Sequence, residues 1–290
     1  MDRRNMVWPM SGTGDRLAET LRSAANATHS VSGGATDVVD GYLRWAADQI
    51  RMLQGMLSPS DLERMITTPR YWATQADRTS VLTTVNVITD ELQHRRGVLE
   101  AAADAVAQQA EAWSPNDGQF TNYVLIDTNF WMEKTSSDLD ALDWHQALAD
   151  AAGPSHPAMQ DELRIVVPLL VIDELDEKSH RRDTRSKVLG ATKFLYDLLA
   201  DNPGKPRKIR DETPARGAVT AQLLFDPLSH RRLPNNDDEL VERLIVLRDF
   251  IGHPASQMFF LTQDGGAAFR AGVSGLMPRH APTPPRTNGG

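Results

Sequence analysis

Apolar residues recur along the first third of the chain at the spacing of a helix. From Val39 they fall at Tyr42, Leu43, Ala46, Ile50, Leu53 and Leu57. Steps of three and four place them on one face of an amphipathic helix. "SPSDLE" follows, where Ser60 with Glu63 three residues on has the spacing of a capping box and restarts a helix. Ser80 stands before a second long stripe of Val81, Leu82, Val85, Ile88, Leu92, Leu99 and Val106, flanked by Ala102 and Ala103, with Gly97 a fault in the pattern. Two long helices with such stripes are expected to pack antiparallel, so residues 1–115 read as an all-α helical hairpin or bundle.

"WSPNDGQ" (Trp113–Gln119) is dense in turn formers and reads as a linker. After it the pattern changes. Short apolar runs at Tyr123–Ile126, Arg164–Pro168, Ala218–Asp226 and Met258–Thr262 read as strands. Between them lie helical stretches over 138–152, "LLVIDELDEKS", 186–199 and "DDELVERLIVLRDF", the last with a stripe of Leu240, Leu244, Leu247 and Phe250. "DNPGKPRKIRDETPARG" (201–217) reads as a long polar loop. Residues 279–290, rich in Pro and Gly, are expected to be a disordered tail. Strands alternating with helices imply a mostly parallel sheet covered on both faces, hence an α/β domain over 120–278.

Composition narrows the chemistry. With 0 cysteines there is no disulfide framework, thiolate metal site or thiol nucleophile, and a reducing compartment suits the chain. No apolar run approaches the ~20 residues of a membrane span, and the basic start "MDRRN" has no apolar run behind it, so a cytoplasmic, membrane-free protein is expected. The net charge of −8 is unlike a generic nucleic-acid binder. Basic residues nevertheless cluster at Lys178, Arg181, Arg182, Arg185 and Lys187, again in "KPRKIR", and at Arg231 and Arg232. They either solvate exposed faces or form a local basic surface.

Function in such sheets collects at the carboxyl ends of the strands. Asp127 ends the first strand, Asp264 follows "MFFLT" after one spacer, Glu174 lies on the helix after "RIVVP", and Asp237 opens the helix after "RRLPNN". Each has a plain alternative. Asp127 can cap a turn, Glu174 can be solvated, Asp237 can be an N-cap in competition with Asn236, and Asp264 can make the turn into "GG". Together they fall where one shared pocket would need them. Converging ionised carboxylates repel one another. An all-oxygen set suits Mg²⁺ or Mn²⁺, which can activate water against a phosphodiester.

The second part of the chain resembles the PIN domains, metal-dependent nucleases with a central parallel sheet. The signatures are "VLIDTN" (Asp127, Asn129), "VPLLVIDELDEKS" (Val171, Glu174, Leu175), "NNDDEL" (Asn236, Asp237, Leu240) and "LTQD" (Thr262, Asp264). All four stand in the family order, over roughly Asn122 to Met277. The resemblance implies that Asp127, Glu174, Asp237 and Asp264 hold the metal, with Asp238 the alternative to Asp237. It implies Thr128, Asn129, Asn236 and Thr262 as supports and single-stranded RNA as substrate, leaving a 5′-phosphate. Lys178, Arg181, Arg182 and Arg185 are then candidates for backbone contacts. After the fourth acid the family often carries Asn-Leu-x-x-Lys-Ala, of which "DGGAAFRA" keeps Phe269, Arg270 and Ala271 in comparable places. A non-catalytic PIN-like module binding RNA or protein is the competing reading. A dehalogenase-type phosphatase would need Asp-x-Asp in place of "DTN", and no "GxxxxGK" loop is present. The helical region matches no family known to us and could serve a protein partner, self-association or its own packing.

Overall fold

The computed structural model describes residues 5–77, 81–115, 120–227, 230–254 and 256–281. Contacts divide the chain into two compact units. One is Met1–Trp113 with Pro227–His230 and Asp249–Gly252; the other is Ser114–Asp226, Arg231–Arg248 and His253–Gly290.

The first unit is helical. Its helices are α1 (Gly14–Ala27), α2 (Ala35–Leu53), α3 (Pro59–Met65), α4 (Pro69–Ala76) and the long α5 (Val81–Trp113). The stripe on α5 is real: Ile88, Leu92, Leu99 and Val106 are buried. Its main partner is α1, more than α2. Arg22 pairs with Asp104 and Gly14 faces Ala110, so α1 and α5 run antiparallel. The expected cap at Ser60 is corrected: Ser58 is the N-cap of α3, its hydroxyl accepting from the Asp61 amide at 3.1 Å. The start moves two residues back because Pro59 suits the first helical position, where its missing N–H costs nothing. Ser80 lies outside the described residues.

The second unit is a six-stranded sheet with helices around it. The strands are β1 (Thr121–Ile126), β2 (Glu162–Pro168), β3 (Arg207–Arg210), β4 (Val219–Leu224), β5 (Ser256–Thr262) and β6 (Met277–His280), in the order β3-β4-β2-β1-β5-β6. All pairings are parallel except β3 with β4. β1 and β2 are buried along their whole length, as strands covered on both faces must be. The chain steps outward from β1 to β2 and β4, then returns to the other side of β1 as β5. That reversal opens a crevice beyond the carboxyl ends of β1 and β5, where ligands bind in open α/β sheets. The opposite ends of the strands hold a buried polar knot instead. Glu162 receives hydrogen bonds from Arg164 (3.1 Å), Thr121 (3.0 Å) and Thr220 (3.2 Å).

The remaining helices are α6 (Thr128–Met132), α7 (Ser136–Ala141), α8 (Trp144–Asp150), α9 (Leu169–Ser179), α10 (Arg185–Leu199), α11 (Asn236–Ile251) and α12 (Gly265–Val273). Three expectations are corrected here. The single helix over 138–152 is two, because the Asp143 side chain accepts from the Gln146 amide at 3.0 Å and starts a new one. The polar loop 201–217 contains β3, an edge strand whose Arg210 donates to the Leu142 and Asp140 carbonyls. The tail expected to be disordered from 279 begins inside β6, with Arg279 buried and donating to the Leu148 and Ser155 carbonyls. Residues 282–290 lie outside the described residues.

Candidate active site

β1 delivers Asp127 to the crevice. Its amide still donates to Leu261 O at 2.9 Å, extending the β1–β5 ladder by one residue, and its side chain then caps α6. The next turn folds back because the Trp131 indole donates to Ile126 O at 3.2 Å. Asp127 is only 3% exposed. One carboxylate oxygen accepts from the Thr262 hydroxyl at 2.9 Å and the other from the Asn129 amide at 3.4 Å. Burial pushes its pKa above the ordinary value, the two hydrogen bonds oppose this, and the nearby charges of Asp237 and Glu174 push it further up.

Glu174 sits on the second turn of α9, half-buried, and is held from two sides. The Thr128 hydroxyl donates to one of its oxygens and the Asn236 amide group to the other. The plain reading of Glu174 as a solvated helix residue therefore fails.

Asp237 is not the cap of α11. Asn235 is: its side-chain oxygen accepts from the amides of Asp237 (2.9 Å) and Asp238 (3.2 Å). The loop before α11 is pinned by Arg232, which pairs with Asp173 at 2.6 Å and Asp226 at 3.5 Å. The Leu233 amide adds a bond to the buried Glu239 at 2.9 Å. The pKa of Asp237 is also raised, chiefly by burial; Arg270 opposes this and the charges of Asp264 and Glu174 reinforce it. Asp264 caps α12, accepting from the Ala267 amide at 3.0 Å, and its own amide donates to Thr262 Oγ1 at 2.9 Å. One threonine hydroxyl thus ties the first acid to the fourth.

The structure brings together Asp127, Glu174, Asp237 and Asp264 with Thr128, Asn129, Asn236 and Thr262. Arg270 bridges Asp237 and its alternative Asp238: its Nε lies 3.0 Å from the Asp238 carboxylate, while the other end of the guanidinium donates to Asp237. Sequence reasoning placed Arg270 in a comparable family position without giving it a role. The usable signal was its spacing, six residues after Asp264, which sets it nearly two turns into α12.

The basic residues lie at different distances from this cluster. Lys178 is one turn beyond Glu174 on the same face of α9, half-buried. Arg181 pairs with Glu177, and Arg182 and Arg185 are exposed on the way into α10. Of the "KPRKIR" charges, Arg207, Lys208 and Arg210 belong to β3, at the sheet edge three strands from β1, where Lys208 pairs with Asp211 at 2.6 Å.

The donors at the crevice are carboxylate, amide and hydroxyl oxygens, and the pKa values of Asp127 and Asp237 are raised chiefly by burial, with neighbouring carboxylates adding to it. That arrangement fits a hard divalent cation. No match is found among curated proteins or among solved structures. A family model described as PIN domain matches residues 123–279, just over half of the chain. It begins inside β1, ends inside β6, and takes in β2 to β5 and all four acids. The chain belongs to the PIN domain family, whose members are in general nucleases that use divalent metal ions.

Proposed function

We propose that the protein is a cytoplasmic metal-dependent endoribonuclease that hydrolyses phosphodiester bonds in single-stranded RNA. The observation that carries this reading is the convergence of four carboxylates from four segments, two of them with raised pKa values. Asp127, Glu174, Asp237 and Asp264 would hold Mg²⁺ or Mn²⁺, which when bound supplies an activated water and charge for the leaving oxygen. The chain's own residues set the stage. Thr262 orients Asp127 and Asp264 together, Thr128 and Asn236 fix Glu174, and Arg270 offers a guanidinium that can exchange a carboxylate for a phosphate oxygen. Lys178, Arg181, Arg182 and Arg185 would guide the RNA backbone.

The same Arg270 contacts favour the second reading, a silent RNA- or protein-binding scaffold whose acids are neutralised internally. One experiment decides. Labelled single-stranded RNA is incubated with the full chain in Mg²⁺, Mn²⁺ or chelator, beside Asp127→Asn. The expected outcome is metal-dependent cleavage that falls about 10²-fold or more in the variant, the scale at which losing a group that stabilises developing charge is felt. Equal products from wild type and Asp127→Asn would point to a contaminating nuclease, and metal binding without cleavage would favour the scaffold.

A further inference from the structure

α12 is apolar on two faces. Ala267 and Ala271 are buried, which is the packing face. Gly265, Ala268, Phe269, Gly272 and Val273 fall on the other at helical spacing, and there Phe269 is 80% and Val273 91% exposed. This large aromatic, on the helix capped by Asp264, is left mostly uncovered by the described residues. Beside it lies a groove of about 710 Å³, lined on the α12 side by Gly265, Phe269 and Gly272 and on the other by Gly153, Pro278 and His280. The groove begins where the acids end. Gly265 follows Asp264 directly, and the His280 ring lies 3.1 Å from the carbonyl of Gln263, between Thr262 and Asp264.

We propose that this groove is a nucleobase subsite, in which a base of the single-stranded RNA next to the cleaved phosphate stacks on Phe269. The proposal rests on the ribonuclease reading and deepens it. Three features select a base over other occupants. The volume is that of a small-ligand cleft, within the roughly 300–1,000 Å³ usual for such sites. Two protruding apolar side chains fall far short of the roughly 20–30 residues a side of a stable protein interface. The lining at Gly265 is bare backbone: a Cβ there would meet nothing within 4 Å, so a flat ring can lie close. Stacking on an exposed aromatic tolerates every base, so the subsite would add affinity without sequence preference.

The test separates binding from chemistry. In an Asp127→Asn background with Mg²⁺, anisotropy of a fluorescent single-stranded oligoribonucleotide is compared for Phe269, Phe269→Ala and Phe269→Trp. The expected result is a loss of about tenfold or more for Phe269→Ala and retention for Phe269→Trp, the range of a single base stack. An oligonucleotide with abasic residues throughout is expected to bind all three alike. Cleavage by the otherwise wild-type chain is expected to show the change in KM rather than kcat. Phe269 is exposed, so melting temperatures should coincide and exclude misfolding. Affinities within twofold of one another, or equal discrimination on the abasic strand, would overturn the subsite. Concentration-dependent self-association abolished by Phe269→Ala would overturn it too, reassigning the face to a second copy of the chain. Phe269-dependent binding without any metal-dependent cleavage would sink the ribonuclease reading while leaving the base subsite standing. Cleavage indifferent to Phe269 would do the reverse.

Discussion

Thr262 carries more of the site than either acid it touches, because its single hydroxyl donates to Asp127 and accepts from the Asp264 amide. Thr262→Val keeps the shape and removes both bonds, leaving buried polar groups unmet. The expected cost is about 1–3 kcal/mol, read as a lower urea midpoint, with Thr262→Ser restoring most of it. A second prediction follows from protons. Asp127 and Asp237 have pKa values raised by burial and by neighbouring carboxylates, so the native chain binds more protons than the unfolded one at pH values above the ordinary 3.8. Their contribution to stability therefore falls as pH rises through that window. In chelator, the melting temperature should decline as pH rises above that ordinary value. Asp127→Asn should flatten the decline and Mg²⁺ should reverse it; an unchanged slope in the variant would refute the assignment. The four acids were legible in the sequence because strand-end carboxylates leave a spacing signature. What Arg270 does was not, since a pairing between α11 and α12 depends on how two helices meet beyond the sheet.

Among the elements, glycine separates the two helical contexts. Gly97 on α5 is exposed with open space where a side chain would go, so it has no reason of packing to be glycine. Gly97→Ala should stabilise by about 0.5–1 kcal/mol through the unfolded state and helix propensity. Gly190 on α10 is different: a Cβ there would lie 2.8 Å from the Ser136 amide nitrogen and 2.9 Å from Thr135 Cα. Gly190→Ala should destabilise by about 1–3 kcal/mol, since backbone cannot yield as a side chain can. Thermal melts of the pair check both signs. Strands with continuous apolar runs, β1, β2 and β5, were readable from the chain because full burial writes them in Tyr, Val, Ile, Leu and Phe. β3 and β6 were not. Arg207–Arg210 and Met277–His280 carry Lys, Arg, Pro and His, and such strands exist only because a neighbour supplies the ladder.

For the whole molecule, the proposed function asks an acidic chain with a net charge of −8 to bind a polyanion, so its affinity would come from few cations and from the metal. With Lys178, Arg181, Arg182 and Arg185 as backbone contacts, the logarithm of RNA affinity should fall with log salt at a slope of about −3, near −0.7 per phosphate for single strands. Replacing Arg182 and Arg185 together by Gln should make the slope shallower by about 1.4, measured by anisotropy at several salt concentrations. No change would remove this patch from the path of the RNA. The two edges of the sheet have a consequence of another kind. An open strand edge invites pairing with other chains, and proteins guard against it with charge, proline and short strands. Here β3 presents Arg207, Lys208 and Arg210 at one edge. At the other, four-residue β6 holds Pro278 and is already engaged by Ala152 through His280. Both flanks are guarded against strand addition, so the sheet that carries the acids is protected from edge-to-edge aggregation.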